Sequence, residues 1–293
     1  MSQRLSVKLD WLAYTVKGML LEEVMAFWAP YFAGFVARRT GRYFFRQGVS
    51  GTGINIYWDS ATPDAADSVM VEISGEGCDI LYSKDFIVED FLRDTICKDD
   101  SYHLSRIDVC CDIFADDESD FFPYDKLIDA ANEYRFVSRI HRNGRCVRFS
   151  SAAKAESTYG TPGTTVYFGS PGSDCRLTTY NKLLERKVKR HPDLPDVFDG
   201  KELKQWLRFE FRLRDKSALG FSVLLLKNTL TEAFMGVLKN YITFTDDEND
   251  RRHGVERCTV SKWWTDFLAS FAKLFILRTL LCVLFHPPLR LFT

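Results

Sequence analysis

The chain has 293 residues, 46% of them hydrophobic and 27% charged, with 39 Lys and Arg against 40 Asp and Glu and a formal net charge of −1. This balance suits a soluble globular protein with a large core, arranged as one big domain or two half-size ones. It excludes a chain that meets a polyanion by overall charge, so any such contact must use local concentrations of Lys and Arg.

The first element is a strand over Val7 to Thr15, where β-branched, aromatic and apolar residues alternate. A helix follows from Leu20 to Arg39, on apolar residues three or four apart, with Pro30 as a kink or boundary. Tyr43 to Trp58 reads as two strands around a Gly-rich turn, Ser68 to Ser74 as a third, and Phe86 to Cys97 as a helical patch. Ser105 to Phe114 alternates strictly, which sends Ile107, Val109, Cys111 and Ile113 to one face and Arg106, Asp108, Cys110 and Asp112 to the other. Pro123 opens a helix, Thr164 to Phe168 and Cys175 to Asn181 are strands, and a charged helical stretch follows them. Gln205 to Arg214 alternates again, with Leu207, Phe209, Phe211 and Leu213 opposite Arg208, Glu210, Arg212 and Arg214. A long helical pattern runs from Lys216 to about Tyr241.

Strands with apolar backs and polar fronts suit a hard-metal site on an open sheet face, because Mg²⁺ and Mn²⁺ take oxygen ligands and leave positions for phosphate oxygens. On alternation alone the simpler reading is that Asp108, Asp112 and Glu210 pair with Arg106, Arg208 and Arg212 on a solvated face. On the third strand Tyr180 is followed by Asn181 and Lys182, and Arg176 and Thr178 share its face. A phenol has a pKa near 10, so a nucleophilic tyrosine needs a nearby cation or metal. Read by itself, Tyr180 is one strand tyrosine among twelve.

Two basic clusters stand out: Arg135, Arg139, His141, Arg142, Arg145 and Arg148, and then Lys182, Arg186, Lys187, Lys189, Arg190 and His191. Either serves a polyanion or simply a solvated face. Eight cysteines form no paired C-x-x-C, which argues against zinc, and the N-terminus carries no signal-peptide pattern. The expected setting is cytoplasmic, with reduced thiols. The apolar stretch Phe267 to Phe285 is interrupted by Lys273 and Arg278, so an amphipathic helix is expected there rather than a membrane span.

Taken together, the segments LDWLAYT (Leu9 to Thr15), SRIDVCCD (Ser105 to Asp112), VYFGSPGSDCRLTTYNKLLE (Val166 to Glu185), RFEFRLRDKSAL (Arg208 to Leu219) and VSKWW (Val260 to Trp264) resemble, in order, the replication initiation factor family. These are rolling-circle Rep proteins of small plasmids and filamentous phages, with relatives acting as relaxases of integrative elements. The resemblance covers roughly residues 5 to 270. It implies an α+β fold of antiparallel sheets with helices on one face, a duplicated ferredoxin-like arrangement and a homodimer. The domain expected is 1–242, in halves of about 1–135 and 136–242, with an apolar helical segment over 243–293.

By the same resemblance, Tyr180 is the nucleophile, and Asp108 and Glu210 hold Mg²⁺ or Mn²⁺ with Asp112 as a third ligand. The implied reaction is site-specific nicking of origin DNA, giving a 5′-phosphotyrosyl protein and a free 3′-hydroxyl, followed by rejoining. Lys182 is expected to deprotonate or hold the phenolate, and Arg106 and Arg212 to neutralise transition-state charge. Origin duplex and single strand would meet Arg135, Arg139, Arg142, Arg145, Arg148, Arg176, Arg186, Lys187, Lys189 and Arg190. A host helicase and polymerase are the implied partners. The alternatives are a conjugative relaxase and a non-catalytic sequence-specific DNA-binding regulator on the same fold.

Overall fold

The computed structural model describes residues 4–138, 147–151, 164–189, 197–198, 200–246 and 258–271. The chain opens with β1 (Arg4–Lys17), α1 (Leu21–Trp28), β2 (Val36–Ala37), β3 (Phe45–Gly51), β4 (Ile54–Ser60), β5 (Ser68–Ile73), α2 (Gly75–Ser83) and α3 (Val88–Phe91). It continues through β6 (Tyr102–Ala115), α4 (Tyr124–Asn132), β7 (Phe136–Ser138), β8 (Val147–Ser151), β9 (Thr164–Phe168), β10 (Cys175–Asn181) and α5 (Lys182–Lys189). The short β11 (Val197–Phe198) and β12 (Lys201–Glu202) lead into β13 (Gln205–Arg214). Then come α6 (Asp215–Leu224), α7 (Leu230–Tyr241), β14 (Ile242–Phe244) and α8, over 262–271.

One ten-stranded sheet organises the chain, in the order β2-β3-β4-β5-β1-β6-β13-β10-β9-β8, with every pairing antiparallel. The fold is therefore α+β, as expected. The succession strand, helix, paired strands, strand, helix occurs twice: β1, α1, β3, β4, β5, α2, and then β6, α4, β8, β9, β10, α5. The two runs meet at the β1/β6 seam, and β13 lies between β6 and β10. The second run begins at Tyr102, with the strand that carries Asp108.

The apolar faces foreseen on β6 and β13 line the core. Ile107, Val109, Ile113, Leu207, Phe209 and Phe211 are all at most 1% exposed. Trp28 of α1, Leu127 of α4, Phe221 of α6, Phe234 of α7 and Trp264 of α8 join the same apolar cluster. The WW of the last motif is thus a packing signal: Trp264 is fully buried and its ring lies 4.9 Å from Phe244 and 5.4 Å from Phe267. Truncating such a ring to Ala costs about 3–5 kcal/mol through lost transfer energy and the cavity left behind.

Three elements differ from the periodicity. The helix expected to reach Arg39 stops at Trp28, just ahead of Pro30. The stretch 216–241 is two helices, because Thr229 caps α7 with its hydroxyl accepting from the Glu232 N–H while Glu232 reaches back to the Thr229 N–H. The helix α2 was not legible, since Gly75 and Gly77 are poor helix formers. A Cβ at Gly77 would collide with the Gly53 carbonyl in the β3–β4 turn, where Gly53 itself sits at φ +78°, so close approach takes precedence over helix propensity.

Candidate active site

The polar faces of β10, β13 and β6 form one surface because the register is exact across all three. Tyr180 stands opposite Arg208 and Arg208 opposite Asp112, while Thr178, Glu210 and Cys110 make the next row. Arg176, Arg212 and Asp108 make the third. In antiparallel pairs, diagonal neighbours on one face are within reach of long side chains. Tyr180, Glu210 and Asp108 fall on such a diagonal across the three strands.

The Tyr180 hydroxyl donates to Glu210 Oε2 at 3.0 Å. Burial, together with the charges of Asp108 and Asp10, pushes the Glu210 carboxyl up to about 7. The phenol is pushed well above its usual range by burial and by the adjacent Glu210 charge. Glu210 is therefore an acceptor that titrates near neutrality, while the phenol keeps its proton until a reaction removes it. Because folding raises the Glu210 pKa above its unfolded value, this site favours the native state fully below about pH 4.5 and loses that contribution as pH rises through about 7. Glu210→Gln should therefore raise the melting temperature measured in EDTA at pH 8 and leave it nearly unchanged at pH 4.

Asp108 is 2% exposed and takes a two-pronged grip from Arg106, with Arg106 Nε at 2.9 Å and the other prong to Asp108 Oδ2. Arg212 Nε lies 3.7 Å from Asp108 and is buried with no hydrogen-bond partner among the described residues. The Arg106 guanidinium stacks on Trp11 at 4.3 Å, and Arg176 stacks on Tyr167 at 4.2 Å.

Asp112 departs from the expected third ligand position. Both its oxygens receive Arg208, at 2.7 and 2.8 Å, and Trp206 Nε1 adds a bond at 2.8 Å. These bonds make it the anchor of a buried arginine rather than an open ligand. Lys182 also differs: it opens α5 instead of extending Tyr180's strand face. Its Nζ pairs with Glu185 at 2.6 Å and sits 5.6 Å over the Tyr180 ring, a contact with the ring and not the oxygen. The group that accepts the phenol's hydrogen bond is Glu210.

Asp10, which the sequence reading treated only as part of a strand, belongs to this site. The β1 register slips between Leu9 and Trp11, and this bulge is where Asp10 reaches Arg208 Nη1 at 2.7 Å. No period-two pattern announces a bulge. A small cleft of about 160 Å³ adjoins it, between α2 and α5, bordered by Lys8, Asp10, Arg186 and Arg208.

Of the expected DNA contacts, Arg135 pairs with Glu133 in the turn after α4, and Arg186 stacks on Trp206 at 4.9 Å, with Lys187 one residue further along α5. Arg148 falls on β8 opposite Tyr167, and Lys189 ends α5. Arg139, Arg142, Arg145 and Arg190 lie outside the described residues, as does the segment beyond 271. No helix among the described residues is long and apolar enough to cross a membrane.

Among the described residues no three or more His, Cys, Asp or Glu side chains are grouped to hold a metal ion. The carboxylates whose like charges meet are Asp108 and Glu210: the Asp108 charge helps raise the Glu210 pKa, while both Asp108 oxygens are held by Arg106, as both Asp112 oxygens are held by Arg208. Mg²⁺ is commonly held by one or two carboxylates, with phosphate oxygens and water completing its shell.

One face of the antiparallel sheet thus carries a tyrosine, a half-buried glutamate and several arginines in register. The family model described as replication initiation factor matches residues 102–277, and the chain belongs to that family. A Bacillus subtilis (strain 168) protein named "Putative DNA relaxase NicK" is 30% identical over 220 residues, which is 73% of this chain and 57% of that protein. The chain thus spans little more than half the length of that relative. The rolling circle replication initiator protein from Geobacillus stearothermophilus has the same fold, with a TM-score of 0.65 at 22% identity over 92% of this chain and 97% of that one.

Proposed function

We propose that the chain nicks and rejoins DNA by transesterification at Tyr180. The observation that carries this reading is the 3.0 Å hydrogen bond from the Tyr180 hydroxyl to Glu210 on a sheet face lined by Arg106, Arg176 and Arg212. Glu210 takes the phenolic proton as Tyr180 Oη bonds to phosphorus. Arg212 and Arg106 face the charge that builds on the non-bridging oxygens. The bond to the 3′-oxygen breaks, that oxygen leaves as a hydroxyl after taking up a proton, and the 5′-phosphate stays on tyrosine. One phosphodiester replaces another, so the step is nearly balanced in energy and reverses without ATP.

Asp108 and Glu210 would hold Mg²⁺ or Mn²⁺ once Arg106 gives up an Asp108 oxygen, and the ion when bound would supply a positive centre that orients the scissile phosphate. The freed 3′-hydroxyl would prime a host polymerase behind a host helicase. Service as a relaxase of a mobile element is the second reading, favoured by the B. subtilis relative. It uses the same chemistry at a different partner's origin.

The test is cleavage of single-stranded oligonucleotides drawn from the encoding replicon or element, in Mn²⁺, Mg²⁺ or EDTA. Asp108→Asn should require at least about tenfold more metal for half-maximal cleavage, since it removes one anionic ligand, whereas Glu210→Gln should also lower the maximal rate at saturating metal, since it removes the proton acceptor as well. Equal cleavage in EDTA and Mg²⁺ would refute the metal assignment.

A further inference from the structure

The open face continues past the β1/β6 seam onto the first run of strands, where it becomes a trough of about 1110 Å³. After the bulge at Asp10, β1 turns Trp11, Ala13, Thr15 and Lys17 to this side, and Ser68 and Met70 of β5 join them. The lining mixes small residues, Ala13, Thr15, Ser68 and Ser105, with the rings of Trp11, Tyr43, Phe44 and Phe45. Phe44 is 73% exposed, an unusual place for a large ring, and no ring contact covers it among the described residues.

The volume exceeds the roughly 300–1,000 Å³ of a small-molecule pocket. Lys17, His103, Arg106 and Arg214 border the trough against one acid, Asp100, among its described lining residues. Arg106 is shared, since it also grips Asp108 at the Tyr180 site. Flat rings beside cations, over a floor of Thr15, Ser68 and Ser105 hydroxyls, are the features that bind single-stranded nucleic acid, because every base offers a face to stack on and every linkage a charge. An amphipathic protein helix would call for a dry, uncharged floor instead.

We infer that this trough seats the bases of the single strand adjoining the scissile phosphate, with Phe44 as the stacking ring and Lys17 and Arg214 beside its phosphates. The inference rests on the DNA-nicking reading above and adds a binding subsite to it.

The experiment uses the full chain carrying Tyr180→Phe, in EDTA, so that neither nucleophile nor metal affects the outcome. Fluorescence anisotropy compares a twelve-residue oligothymidine, designed at about the site size of single-strand binders, with an abasic strand of equal length. Phe44→Ala should weaken oligothymidine binding roughly five- to hundredfold and leave abasic binding unchanged, whereas Phe44→Trp should retain it. Phe44 is exposed, so an unchanged melting temperature will verify that the variants fold. Equal oligothymidine affinity for parent and Phe44→Ala overturns the inference, as does no binding by the parent. A shift from dimer to monomer in Phe44→Ala on sedimentation also overturns it, by making the trough a subunit contact. Cleavage through Tyr180 with binding indifferent to Phe44 would sink this inference alone, while Phe44-dependent binding without Tyr180 cleavage would sink only the nicking reading.

Discussion

Tyr180→Phe is expected to reduce DNA cleavage to the background of the assay while leaving binding of an uncleaved strand within about threefold, because it removes the nucleophilic oxygen and little else. The ring remains, and with it the contact from Lys182 Nζ at 5.6 Å. Glu210 loses a donor that holds its pKa down, so burial and Asp108 should push that carboxyl higher still. Comparing cleavage rates and oligonucleotide affinities of the two proteins checks both halves of the expectation. Cleavage retained by the variant would transfer the role to another hydroxyl, and Tyr167, stacked under Arg176 two strands from Glu210, is the next candidate.

The second large effect is structural and falls on Arg208. This side chain is 2% exposed and joins Asp112 of β6 to Asp10 of β1 through bonds of 2.7, 2.8 and 2.7 Å, so it links three strands across the seam between the two runs. Replacing it with Met leaves Asp112 buried with its charge unanswered. Breaking one side of such a pair costs about 3–5 kcal/mol, whereas replacing both partners by apolar or neutral groups is often nearly neutral. Arg208→Met should therefore lower the urea midpoint sharply with little change in slope, and Arg208→Met combined with Asp112→Asn should recover much of the loss. Equal destabilisation by the single and double variants would show that the pair does not act as a unit.

Much of this was readable from alternation. The strict period of two in Ser105 to Phe114 and in Gln205 to Arg214 placed Asp108 and Glu210 on polar faces and Ile107 and Phe209 in the core, and β9 and β10 keep the predicted bounds. Period alone could not say which carboxylate pairs with which cation. Arg106 and Arg208 look alike in sequence, yet one grips its own-strand neighbour Asp108 and the other reaches across to Asp112. That choice depends on register between strands about a hundred residues apart. Asp10 was hidden by a bulge, and α2 by glycines kept for the Gly53–Gly77 contact. The repeat escaped because its two runs share an order of elements rather than a run of identical residues, and β13 interrupts the second one.

If Tyr180 Oη takes the phosphate, the covalent product carries the DNA on that side chain. The most direct measurement is incubation of the chain with single-stranded oligonucleotides and Mn²⁺, followed by proteolysis and mass spectrometry of the covalent product. The expected result is a nucleotide adduct on the peptide between Arg176 and Lys182, in which Tyr180 is the only tyrosine. Cleaved DNA with no protein adduct, or an adduct confined to another peptide, would contradict it.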